Sequence, residues 1–248
     1  MKKVLFPHIS WLLLLLIPFV IIGFYPSYFS RLSANQSIFH VHAAFMLCWV
    51  ALAIGQPFLI HLKKTRLHKL FGKVSYVIMP LVFLTAFLVV RHIYYATIED
   101  LSSKASSGVI KMSSAEIQKG AAGRTMIGSL YLCWLIIFYI LAVIHRKKIL
   151  YHATYMFAAI LTLLGPSVDR LIYNTVDQLC WEHNFFIQDN FVFAFNVVLL
   201  SSLLIYQWRK GNSIKPAAIA LGIYLVGLAL FFSLPKTNLW NSFVAMIM

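Results

Sequence analysis

Histidine, glutamine and arginine side chains recur inside, or at the edges of, long apolar runs. A polar group is costly to hold there and marks a functional candidate by default. His42, Trp49 and Gln56 lie seven residues apart, which places them on one face of a helix. Tyr76, Pro80, Phe83, Phe87, Arg91 and Tyr94 form a second stripe, with His92 next to Arg91. Arg124, Tyr131, Trp134, Phe138 and His145 form a third, and His152, Met156, Ala159, Leu163, Pro166 and Arg170 a fourth, with Asp169 beside Arg170. Asp189, Asn196 and Gln207 follow in a later run.

By depth these residues separate into two groups. His42, Arg91, His92, Arg124, Asp169 and Arg170 fall towards one membrane face and are expected to line a shared polar pocket there. Gln56, His68, His145 and His152 fall towards the other face and form a second candidate ligand site. Paired imidazoles from facing helices suit a b-type haem, with arginines to hold its propionates. The same groups also suit a quinone-linked redox site or an anion site. His40 and His42 are two residues apart, about 200° around a helix, so the two cannot ligate one ion. The sequence leaves the metal content and the cofactor open. It carries no H-E-x-x-H, G-x-S-x-G or P-loop pattern, so the common protease, hydrolase and ATPase signatures are absent and no catalytic residue is assigned. No lysine sits mid-span, which argues against a retinal Schiff base.

The elements that must position these groups follow from composition. The 248-residue chain is 61% hydrophobic and 11% charged, with a mean hydropathy of +0.82. Soluble domains lie near about 45–50% apolar and about 25% charged. The expected fold is therefore all-α: a polytopic transmembrane bundle of about seven spans in a single domain over 1–248. The spans are expected near 8–25, 38–61, 74–95, 124–145, 151–173, 189–208 and 216–235. Each is long enough for a hydrocarbon core of roughly 30 Å, and only helices satisfy their own backbone there. Cys48, Cys133 and Cys180 form no disulfide framework or zinc spacing.

The charges orient the bundle. Lys2 and Lys3, the 61–73 loop, Arg146–Lys148, and Arg209, Lys210 and Lys215 carry basic residues and no acid, whereas all seven Asp and Glu lie on the alternate side. By the positive-inside rule the acid-free side is cytoplasmic, which puts the N-terminus in and the C-terminus out. The net charge of +14 is thereby a feature of membrane orientation rather than of nucleic-acid binding, and the lipid bilayer is the first partner. No small-x-small cleavage site follows Phe24, so the first span is expected to be retained.

Several local features carry expectations. Pro57 and Pro166 should kink their helices. Ala218-x-x-x-Gly222 should allow close helix approach. Ser113 and Glu116 read as a capping box that starts the fourth span early as a projecting helix. Trp240–Met248, and the 174–188 segment with Trp181, Phe185 and Phe186, are apolar enough to lie at the interface or fold back. Leu67, Leu70 and Phe71 make the basic turn around His68 amphipathic, and His68 is placed to cap the second span or to reach His152.

The stretches Tyr25-Pro26-Ser27-Tyr28-Phe29-Ser30, Phe39-His40-Val41-His42, Gln56-Pro57, Leu67-His68-Lys69-Leu70-Phe71-Gly72-Lys73 and His152-Ala153-Thr154-Tyr155-Met156, with Pro166 and Arg170, resemble an uncharacterised group of bacterial multi-pass membrane proteins. The resemblance covers roughly residues 20–175. It implies a helical bundle of seven or so spans in the bacterial cytoplasmic membrane, and no particular activity. A looser likeness, a histidine followed by a basic loop and a second histidine, is to small membrane proteins linked to haem or respiratory-oxidase assembly. Lys69 departs from the arginine commoner after that histidine. Three functions follow as alternatives: a haem- or quinone-linked redox protein, a binding or transport protein for a small anionic or amphipathic molecule, and an accessory or assembly subunit of a membrane complex.

Overall fold

The computed structural model describes residues 9–179 and 185–248. These residues are predominantly helical, with no strand among them. The elements are α1 (Ile9–Leu14), α2 (Leu16–Phe24), α3 (Ser37–His61), α4 (Thr65–Ser106), α5 (Ser114–Ile144), α6 (Ile149–Leu179), α7 (Phe185–Arg209), α8 (Lys215–Ser233) and α9 (Asn238–Ile247). Short 3₁₀ turns at Phe29–Ala34 and Leu234–Lys236 join α2 to α3 and α8 to α9. Six helices, α3 to α8, are long and apolar enough to cross a membrane.

The described part of the first apolar run, Ile9–Phe24, is shorter than a membrane-crossing helix and is divided at Leu15. Pro18 has no N–H to give to the Leu14 carbonyl, so the ladder cannot run on through that point. The two pieces nevertheless dock along the bundle. Trp11 meets Phe58 edge-on at 5.4 Å, and Leu13 and Leu16 pack with Ala53 and Ile160. Gly23 lies so close to the Ser167 backbone that an added Cβ would collide with the carbonyl oxygen. The order of these contacts makes α2 parallel to α6 and antiparallel to α3.

Consecutive long helices pair antiparallel, and α5 and α6 lie at the centre. Tyr131, Trp134, Phe138, Tyr155, Ala158 and Ala159 form the heart of the core. The basic turns at 62–64, 145–148 and 210–214 therefore share one end of the bundle, and Glu99, Asp100 and Glu116 share the other. At that acidic end α4 and α5 run on past their apolar stretches as a helical pair. Ser113 caps α5 with its expected box: Glu116 N–H donates to Ser113 Oγ at 3.3 Å and Ser113 N–H donates to Glu116 Oε2 at 2.7 Å.

Three local expectations change. The expected 61–73 loop is a turn of three residues followed by helix from Thr65, because Leu67, Leu70 and Phe71 carry helical spacing into the basic segment. Ala218 and Gly222 are exposed and face away from the bundle. Ala217, Ala220, Tyr224 and Gly227 are the buried face of α8, and it is Gly227 that receives the Trp134 ring. On α4 the buried residues are Ser75, Met79, Val82, Thr85, Val90 and Tyr94, whereas Tyr76 is 46% exposed. Pro57, Pro80 and Pro166 all lie within continuous helices. The side chains of 173–190, including Trp181, Phe185, Phe186 and Asp189, lie outside the described residues.

Candidate functional site at the basic end of the bundle

Two tight turns bring the inner group together. In the first, Lys64 N–H donates to the Leu59 carbonyl at 2.8 Å and Lys63 takes a left-handed φ of 59°. This folds α4 back on α3 and sets Gln56 beside His68 and Gly72. In the second, Lys148 N–H donates to the His145 carbonyl at 2.8 Å, which sets Ala142 at the end of α5 beside His152 at the start of α6. The rings of His68 and His152 then face each other nearly perpendicular, with centroids 6.4 Å apart. Both are half-buried. Four helices thus meet at one histidine pair.

Hydrogen bonding assigns opposite tautomers to the two rings when the Gln56 amide is turned to satisfy both its ends. His152 Nδ1 lies 2.9 Å from the Ala142 carbonyl. A carbonyl only accepts, so Nδ1 carries the proton and Nε2 of the neutral ring is a free acceptor. Gln56 satisfies both ends of its amide when Oε1 accepts from Gly72 N–H at 3.1 Å and Nε2 donates to His68 Nδ1 and to the His68 carbonyl. His68 Nδ1 is then an acceptor and its Nε2 carries the proton. One ring offers a donor and the other an acceptor.

A further polar level lies deeper in the bundle. Ser75 Oγ donates to the Gly72 carbonyl at 2.7 Å, so Tyr139 donates its hydroxyl proton to Ser75 Oγ at 2.8 Å. Trp49 meets Tyr139 edge-on at 5.7 Å, and its indole N–H is buried without a partner among the described residues. Thr154 Oγ1 accepts from Gln207 Nε2 at 2.7 Å.

His145 stands apart from the pair. Its Nδ1 donates to the Leu141 carbonyl at 2.9 Å and its ring stacks on Tyr151 at 5.4 Å. The arrangement closes the α5–α6 turn.

The outer group does not converge on one point. His42 donates Nδ1–H to Thr85 Oγ1 at 3.1 Å, since the threonine hydroxyl proton goes to the Leu81 carbonyl at 2.8 Å. Arg170 shares electrostatic range with His42 and Asp169, donates to the Pro166 carbonyl at 3.0 Å and lies over the Phe24 ring at 4.4 Å. His92 meets Phe39 edge-on at 5.3 Å. Arg91 donates Nε–H to the Met248 main-chain oxygen at 2.5 Å and lies over Tyr95. Arg124 is exposed and makes no hydrogen bond or ion pair among the described residues. His42, Asp169 and Arg170 therefore form one neighbourhood, while Arg91 and His92 take separate partners and Arg124 is exposed.

Sequence reasoning missed Ser75, Tyr139, Thr85 and Thr154. They are single polar positions inside the apolar runs, and a stripe phased on Ser75 rather than Tyr76 would have found the first. The Ala142 carbonyl leaves no sequence signal. No group of three or more His, Cys, Asp or Glu able to hold a metal occurs among the described residues. No family model matches the chain, and no curated protein or solved structure is similar to it at a level that assigns a fold or an activity.

Proposed function

We propose that the chain is a seven-crossing protein of the bacterial cytoplasmic membrane, N-terminus in and C-terminus out, whose functional centre is the His68–His152 pair. The pair binds the hydroxylated aromatic headgroup of an amphipathic membrane molecule of the quinol class and exchanges a proton with it. The opposite tautomers carry this reading. An O–H group is both acceptor and donor, so one ligand oxygen can accept from His68 Nε2–H and donate to His152 Nε2. A proton taken by His152 gives a doubly protonated ring that keeps its bond to Ala142. The pair's place at one end of an apolar bundle suits a ligand whose tail stays in lipid. The parallel docking of α1 and α2 along α6 supports the seventh crossing, and the acid-free end supports the orientation.

The same pair suits a haem iron less well. Ligation through Nε2 requires Nδ1 to donate on both rings, and Gln56 makes Nδ1 of His68 an acceptor. An outer anion site would rest on Arg170 alone.

Titrating the purified protein with a short-chain hydroquinone tests the reading. The melting midpoint should rise with concentration, and His152→Ala and Gln56→Leu should each weaken the effect tenfold or more. A midpoint that stays flat, or a response equal in all three proteins, would overturn it. A Soret band after haem-supplemented expression, lost in His68→Ala, would point to haem instead.

A further inference from the structure

We propose that α9 is an interfacial helix that lies in the plane of the outer leaflet, with its lipid-facing side formed by Leu239, Phe243 and Met246. This does not depend on the histidine pair. Both ends of α9 are fixed to the bundle. Trp240 Nε1–H donates to the Ala122 carbonyl of α5 at 2.8 Å, and the Met248 main-chain oxygen accepts from Arg91 Nε–H and from the Tyr95 hydroxyl of α4. Thr237 caps the helix by accepting from Trp240 N–H at 3.3 Å. Ten residues reach about 15 Å, so α9 crosses from α5 towards α4 as a bar.

Its depth follows from these anchors. Arg91 and Arg124 close the apolar stretches of α4 and α5, and Tyr94, Tyr95 and Trp240 stand at the same level. Arginine and paired aromatics at that position mark the boundary between hydrocarbon and headgroups. The helix surface is divided accordingly. Trp240, Val244 and Met248 are buried on the bundle. Leu239, Phe243 and Met246, at i, i+4 and i+7, are 72%, 45% and 76% exposed and wholly apolar. Asn238, Ser242 and Ala245 are exposed on a third side.

A helix in solvent needs two faces, one packed and one polar. A helix held against protein at a membrane surface needs three: packed, lipid-facing and water-facing. The spans expose apolar side chains of the same kind, such as Val226 and Leu230 of α8. A bilayer is therefore the occupant. Residues 237–248 carry no charged side chain, so the attraction is to the acyl region and not to anionic headgroups.

Spin labels placed singly at 239, 243 and 246, and at 238 and 242, test this in a background with Cys48, Cys133 and Cys180 replaced by serine. The protein is embedded in phosphatidylcholine nanodiscs, with and without phosphatidylglycerol. Labels at 239, 243 and 246 should collide several-fold more with oxygen than with a water-soluble nickel chelate, and labels at 238 and 242 the reverse, equally in both lipids. Five labels equally open to the chelate would overturn the proposal. So would labels at 239, 243 and 246 shielded from both relaxants, which would mean that protein covers the face. A depth that changes with anionic lipid would contradict the apolar basis.

Discussion

Gln56 and His152 decide the character of the inner site because each commits a proton. A glutamine amide has a donor end and an acceptor end, and the Gly72 N–H holds the acceptor end, leaving the donor for His68. Elsewhere single residues decide packing. Trp134 stacks on Tyr224 at 4.1 Å and 17°, and gives its indole N–H to the Ile223 carbonyl at 3.3 Å. The ring fits there because Gly227 has no side chain: an added Cβ would stand 2.5 Å from the indole nitrogen. Gly227→Ala should destabilise by about 1–3 kcal/mol, the usual cost of overpacking a close-packed core, seen as a fall of several degrees in the melting midpoint in detergent. Gly222→Ala, five residues away with nothing within 4 Å of the added carbon, should leave the midpoint unchanged.

The helices were legible in the sequence because an apolar run long enough to cross lipid admits little else. Ser113 and Glu116 announced the start of α5, and the fold-back of Trp240–Met248 was among the expectations. The faces were less legible. The turn at 62–64 begins α4 ahead of its apolar run and shifts its inward side from Tyr76 to Ser75, one residue or about 100° around the helix. On α8 the small residues Ala218 and Gly222 looked like a packing motif, but the close approach is at Gly227, where the partner is a large ring. Convergence was legible where tight turns force it, and the reach of His68 to His152 was among the expectations. Gln56 with His68, and the start of α6 with the end of α5, lie within a dozen residues of one another across such turns. The outer arginines are on separate helices with no turn to bring them together, and equal depth did not make them neighbours.

Across the whole molecule, charge is sorted end to end. The three basic turns share one end, and Glu99, Asp100 and Glu116 lie at the other, where Asp100 pairs with Lys104 at 2.8 Å. That asymmetry orients the protein in the proposed topology. In a cysteine-free background, Ser107→Cys should react with an impermeant maleimide in intact spheroplasts, and Asn212→Cys only after the membrane is permeabilised. The opposite pattern would invert the topology and move the histidine pair to the outer face. The helical bundle would be unaffected, since its packing is independent of which side faces the cytoplasm.

Nitrogen-15 NMR of histidine-labelled protein in lipid, with and without a short-chain hydroquinone, tests the functional claim most directly, using His68→Gln and His152→Gln to assign the two rings. The neutral rings should show Nε2–H on His68 and Nδ1–H on His152, and the Nε2 resonances of both rings should shift on addition of the hydroquinone. The same tautomer on both rings, or no shift of either at saturating hydroquinone, would contradict it.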